Sequence, residues 1–139
     1  MHTLWSAMRS VFAVVAGIVV LVVVSFGVEL PLKWFILRTF PASFPEAAVL
    51  DTNLWWMLSQ WLYSTPALIL GGYTAAWLAP RRGFAHAVAM AVVQELLTVL
   101  LMFNPPHPVP AWMWATMLVV TPVAIIFGGY LWSRRTQPK

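Results

Sequence analysis

The chain has 139 residues, of which 61% are hydrophobic and 9% charged, and it contains no cysteine. An average soluble domain carries about 25% charged residues, so there is no room here for a water-soluble domain, and disulfides, thiol catalysis and Cys-ligated metals are excluded. The formal charge of +4 does not form a nucleic-acid patch, because the basic residues flank apolar segments.

Four long uncharged stretches, at about 10–28, 54–79, 84–103 and 111–132, fill most of the chain. About 20 apolar residues in a helix cross a hydrocarbon core of about 30 Å. The expected fold class is therefore all-α: a polytopic four-transmembrane-helix bundle forming a single domain over residues 1–139.

The first stretch follows Arg9 and has the order of regions of a cleaved leader. Its apolar run of about 18 residues is longer than the roughly 7–15 of a signal sequence, and Ser25-Phe26-Gly27 is a poor cleavage site. A retained first helix is expected, with Ala13 and Gly17 four residues apart as a close-contact face. Residues 29–53 make the longer loop. Within it, residues 31–40 are too short to span and suit a helix lying at headgroup depth. Ser43-Phe44-Pro45-Glu46 has the pattern of a capping box, which predicts a second short helix over 46–50. Asp51 and Asn53 then offer caps for the next helix.

The second long helix runs from Trp55-Trp56 to the stop at Pro80-Arg81-Arg82. The third starts after Gly83 and ends at Asn104. The prolines at 105, 106, 108 and 110 around His107 force a tight non-helical turn. The fourth helix ends at Trp132, before a basic tail. Most tryptophans mark helix ends, as an aromatic belt at the two interfaces does. Trp61 lies about two turns inside its helix, where its indole N–H needs a partner within the bundle.

Arg9, Arg81, Arg82, Arg134, Arg135 and Lys139 fall on one side of this plan; Lys33, Arg38, Glu29, Glu46 and Asp51 fall on the other. Basic residues without acids on one face are the positive-inside signature. It predicts an integral protein of the bacterial cytoplasmic membrane with both termini cytoplasmic. At a spacing of 57, Trp55, Ala67, Ile69, Gly71, Gly72 and Tyr73 match Trp112, Ala124, Ile126, Gly128, Gly129 and Tyr130, while Thr65-Pro66 and Thr121-Pro122 match with a shift of one. Two parallel helical-hairpin repeats would give this echo; so would the ordinary recurrence of Gly, Pro and Trp in membrane helices.

Glu95 is the most suggestive polar group. It lies in mid-helix, about 17 Å from the Arg82 end at 1.5 Å per residue, and no Lys or Arg sits in any helix interior to pair with it. The neutral acid is the expected resting form, because an unpaired charge at that depth costs several kcal/mol. Pro66 and Pro122 free the carbonyls of Leu62 and Leu118 near the same depth. Glu95, Gln94, Thr65, Thr121 and Trp61 are thus the expected substrate or proton site, joined by Ser64 and Gln60. His86, one stripe away with Met90, Gln94 and Thr98, is a candidate proton shuttle. The structural alternative is polar glue at proline kinks, worth about 0.6 kcal/mol per bond.

No catalytic motif, phosphate loop or metal-ligand spacing occurs, so an enzyme is the less favoured class and neither a cofactor nor a metal is expected. Expected partners are membrane lipids and either further copies of the chain or a larger membrane complex. Two functions fit: an oligomeric proton-linked transporter or channel using Glu95, or a non-catalytic accessory or assembly subunit.

Overall fold

A computed structural model of the chain describes residues 2–79, 81–105 and 108–136, with the side chains of 2–4 excepted. Expectations that rest on Pro80, His107 and Lys139 lie outside the described residues. The chain forms α1 (His2–Thr39), α2 (Ala47–Asp51), α3 (Leu54–Leu78), α4 (Gly83–Phe103) and α5 (Ala111–Thr136), and no strand occurs among the described residues. Three of these helices, α1, α4 and α5, are long and apolar enough to cross a membrane.

Helix α3 has 25 residues and no charge, but it carries Ser59, Gln60, Ser64, Thr65 and Thr74 among its apolar residues. The reason lies in its position. It packs against α1, α4 and α5 and touches α2, so much of its surface meets protein and is free to be less apolar than a lipid-facing helix.

The loop expected at 29–53 is largely absent, because α1 runs through Pro31 for 38 residues. No separate headgroup-level helix forms over 31–40. Proline removes one donor and crowds the carbonyl four residues earlier, here that of Gly27. Both residues are exposed, and nothing lies within 4 Å of where a Gly27 side chain would stand. The extension is held instead by an ion pair, in which Lys33 Nζ donates to Asp51 Oδ1 at 2.6 Å and to Oδ2 at 2.8 Å. Arg38 lies 5.2 Å from the Trp34 ring centroid and closes the last turn.

The second short helix forms as α2, but Glu46 makes no side-chain cap, so the expected capping box is not built. Asn53 is the true cap of α3: its Oδ1 accepts from Trp55 N at 3.0 Å and Trp56 N at 3.2 Å, satisfying two otherwise orphaned donors. Asp51 is committed to Lys33 instead.

Small residues bring the helices together near the Arg81 end. A Cβ on Gly17 of α1 would stand 2.7 Å from the Gly71 carbonyl, and one on Gly71 would stand 2.8 Å from the Gly17 carbonyl. Met90 of α4 covers both. The α3–α5 contact is reciprocal in the same way: a Cβ on Gly72 would collide with the Ile125 carbonyl, and one on Gly128 with the Ile69 carbonyl. Only glycine allows backbones this close. The residues of the two contacts, Ile69 and Gly72 on one helix and Ile125 and Gly128 on the other, stand 56 apart. The same separation relates Thr65-Pro66 to Thr121-Pro122, whereas the Gly-Gly-Tyr triplets lie 57 apart.

Candidate functional site

At the other end the same four helices part. Each contributes a stripe of side chains at three- or four-residue spacing, which places residues on one helix face. From α1 come Leu21, Ser25, Glu29 and Lys33; from α3, Gln60, Ser64 and Leu68, with Trp61 and Tyr63 beside them. Helix α4 supplies Gln94, Thr98 and Leu101, and α5 supplies Met113, Met117 and Thr121. They enclose a cavity of about 540 Å³ that reaches from the Lys33–Asp51 pair down to Leu21, Leu68 and Thr121. Small-molecule sites commonly measure roughly 300–1,000 Å³, mostly apolar with a few placed polar groups, and this cavity has that character.

Its polar groups are not all satisfied from within. The Trp61 Nε1 is buried without a hydrogen-bond partner. The Tyr63 hydroxyl faces the Glu29 carboxyl as a loose hydrogen-bond donor and lies, more weakly, in the field of Asp51. Lys33 and Asp51 are the cavity's ion pair, with side chains 22% and 18% exposed. Buried polar groups in folded proteins nearly always have partners, so the orphaned Trp61 donor on the cavity wall marks a place for a group that the chain does not supply.

The structure divides the sequence-predicted site. Gln94, Thr121 and Trp61 share the cavity lining with Gln60 and Ser64. Met90 and Thr98, 0% and 7% exposed, show that the stripe from His86 to Thr98 is the inward face of α4. Glu95 is turned about 100° from Gln94 and leaves that face. It lies in a separate shallow groove between α4 and α5, among Val92, Leu96, Val99, Pro122 and Ile126, and its Oε1 is buried without a hydrogen-bond partner. Thr65 and His86 line neither space; His86 Nδ1 sits 3.2 Å from the Arg82 carbonyl at the start of α4. His86 and Glu95 are nine residues apart, which puts them on opposite sides of the helix.

Sequence reasoning missed Glu29, Lys33, Asp51 and Tyr63. The signal was present in the four-residue stripe 21, 25, 29, 33, but ending the helix at residue 28 hid it. Among the described residues no three His, Asp or Glu side chains gather as a metal site requires. Comparison with protein-family models, curated proteins and solved structures gives no match.

Proposed function

We propose that all four long helices cross the bilayer and that the chain is a small transporter whose cavity receives an amphipathic solute. The observation that carries this reading is the cavity itself: it is lined by four helices, mostly apolar in its walls, and furnished with a few polar groups and the unpaired Trp61 donor.

The span assignment for α3 draws support from its tryptophans. Trp55 and Trp77 are both exposed and stand about 33 Å apart at 1.5 Å per residue, close to the hydrocarbon thickness of about 30 Å. The arginines at 81, 82, 134 and 135 would then face the cytoplasm and the cavity mouth the opposite side. Reciprocal glycine contacts between α3 and α5 support two parallel hairpins related by an axis along the membrane normal. In this reading Glu95 couples protons from its own groove, one residue along α4 from the cavity-lining Gln94, and further copies of the chain cover that groove.

The absence of cysteine permits a clean test with single cysteines and a membrane-impermeant maleimide. Ala48→Cys and Gln60→Cys should label from outside intact cells, and Thr136→Cys only after permeabilisation. Labelling of positions 48 and 136 from one side would overturn the topology. An unreactive position 60 under conditions that label position 48 would overturn the open cavity.

One observation favours the accessory-subunit reading: the orphaned Glu95 Oε1 in an outward apolar groove suits a donor on a different membrane protein. Purification in mild detergent separates the two. A stoichiometric heterologous partner lost in Glu95→Leu supports the accessory reading, and a homo-oligomer supports the transporter.

A further inference from the structure

Resting on the cavity reading above, the inference concerns which molecule fits. At the mouth stand two carboxyl groups, Glu29 and Asp51, and one amine, Lys33. Lys33 Nζ is fully engaged with Asp51, donating to both of its oxygens at 2.6 and 2.8 Å. Glu29, one helical turn before Lys33, belongs to no ion pair within 4.0 Å among the described residues. The lining therefore carries one formal negative charge in excess, on a carboxyl that the protein does not neutralise.

That carboxyl overlooks aromatic faces. Phe26, Trp61, Tyr63 and Trp114 line the same space, and a cation within about 6 Å of an aromatic ring is attracted to its face, most strongly when water is excluded. Below them Leu21 and Leu68 stand among the neutral polar side chains of Ser64, Gln94 and Thr121, a surface without formal charge whose apolar part rewards apolar bulk. An anion would meet Glu29 across a low-dielectric gap and be repelled by the ring faces.

We infer that the cavity between α1, α3, α4 and α5 is a binding site for a lipophilic monocation, its charge held by Glu29 and the aromatic rings and its apolar body by the wall below. Trp61, a lining residue whose N–H has no partner in the protein, adds a place for one neutral oxygen acceptor on the molecule.

The test uses the full chain, purified in a non-ionic detergent, and two ions of nearly equal size and opposite sign: tetraphenylphosphonium and tetraphenylborate. A neutral amphiphile, N-phenyl-1-naphthylamine, is the third probe. Saturable binding of the phosphonium and none of the borate is expected. Glu29→Gln should weaken phosphonium binding about tenfold or more, as loss of a partly buried opposite charge does, with the helical circular dichroism unchanged. Glu46→Gln, exposed and outside the cavity, should leave binding as it is. Lys33→Met frees the Asp51 carboxyl and should tighten phosphonium binding, which decides the matter even where Glu29→Gln fails to fold. If the two ions bind alike, or if only the neutral probe binds, or if Lys33→Met weakens the cation, the charge assignment fails while the cavity reading survives. If none of the three probes binds saturably, both fail.

Discussion

The two ends of this bundle are built from the same four helices and obey opposite packing rules. Toward the Arg81 end, Gly17, Gly71, Gly72 and Gly128 bring backbones into contact, and Ala75, Ala76 and Ala87 are completely buried. Nothing large can enter. Toward the Asp51 end, the stripes carry Gln, Trp, Tyr and Met, and side chains of that size hold the helices apart. In lipid, where apolar side chains gain little by leaving one apolar medium for another, close backbone packing is what binds helices together. The closed half therefore supplies the cohesion and leaves the open half free to bind something else. Side-chain size, read turn by turn, sets where a membrane bundle is solid and where it is hollow.

The comparison breaks most visibly at the glycines. Gly72→Ala and Gly128→Ala should each destabilise the fold by about 1–3 kcal/mol, the usual penalty of overpacking. The double substitution should cost less than the sum, because both act on one α3–α5 contact. Denaturant titration followed by circular dichroism reads this, and near-neutral single variants would show that the closed half is looser than described. The same change at exposed Gly27, with nothing within 4 Å, should be neutral or slightly stabilising, since alanine is the better helix former.

Filling the open half should have the converse effect. Ser64→Phe places a ring in the cavity, and it should weaken ligand binding by about tenfold or more, while leaving the melting midpoint unchanged or raised. That fold-change corresponds to about 1.4 kcal/mol. Equal losses of binding and stability would mean that the cavity is part of the packed core.

A smaller effect is expected at the rim. Lys33→Ala leaves Asp51 without its partner in a site about four-fifths buried by side chain. A fully buried pair so broken costs about 3–5 kcal/mol, and an exposed one below about 1 kcal/mol; an intermediate cost of about 1–2 kcal/mol is expected. The end of α1 after Pro31 should then exchange its amide hydrogens faster, while α3–α5 amides near Gly72 stay protected. Faster exchange throughout would deny that the two halves are separable.

Glu95→Gln should change stability least, by under about 1 kcal/mol, because Oε1 makes no hydrogen bond that glutamine would lose. Its test is functional. Loss of pH-dependent transport with intact solute binding assigns Glu95 to coupling; unchanged pH dependence removes it from the mechanism.

Much of the fold was legible because the cues were local. The positions of α3, α4 and α5 followed from uncharged length bounded by Asn53, Gly83 and the tryptophans. The end of α1 did not, since Pro31 and the nearby charges read as a break. The ion pair that sustains the helix joins residues 18 apart, and no local pattern announces it. For the site, the residue types were readable and their grouping was not. Gln94 and Glu95 are sequence neighbours, yet one faces the cavity and the other a groove between α4 and α5.

By itself, then, the sequence determined that the chain is helical, apolar enough for membrane crossing, and furnished with a few polar groups at mid-helix, because hydropathy and helix period are properties of short segments. The tertiary structure alone decided which face of each helix meets which neighbour. A rotation of about 100° between adjacent residues takes Glu95 out of the cavity, and helix packing sets Gly72 against Ile125 and Gly128 against Ile69. It also brought Glu29 and Lys33 of α1 over Tyr63 of α3, a site assembled from segments that are distant in the chain and meet only when the bundle closes.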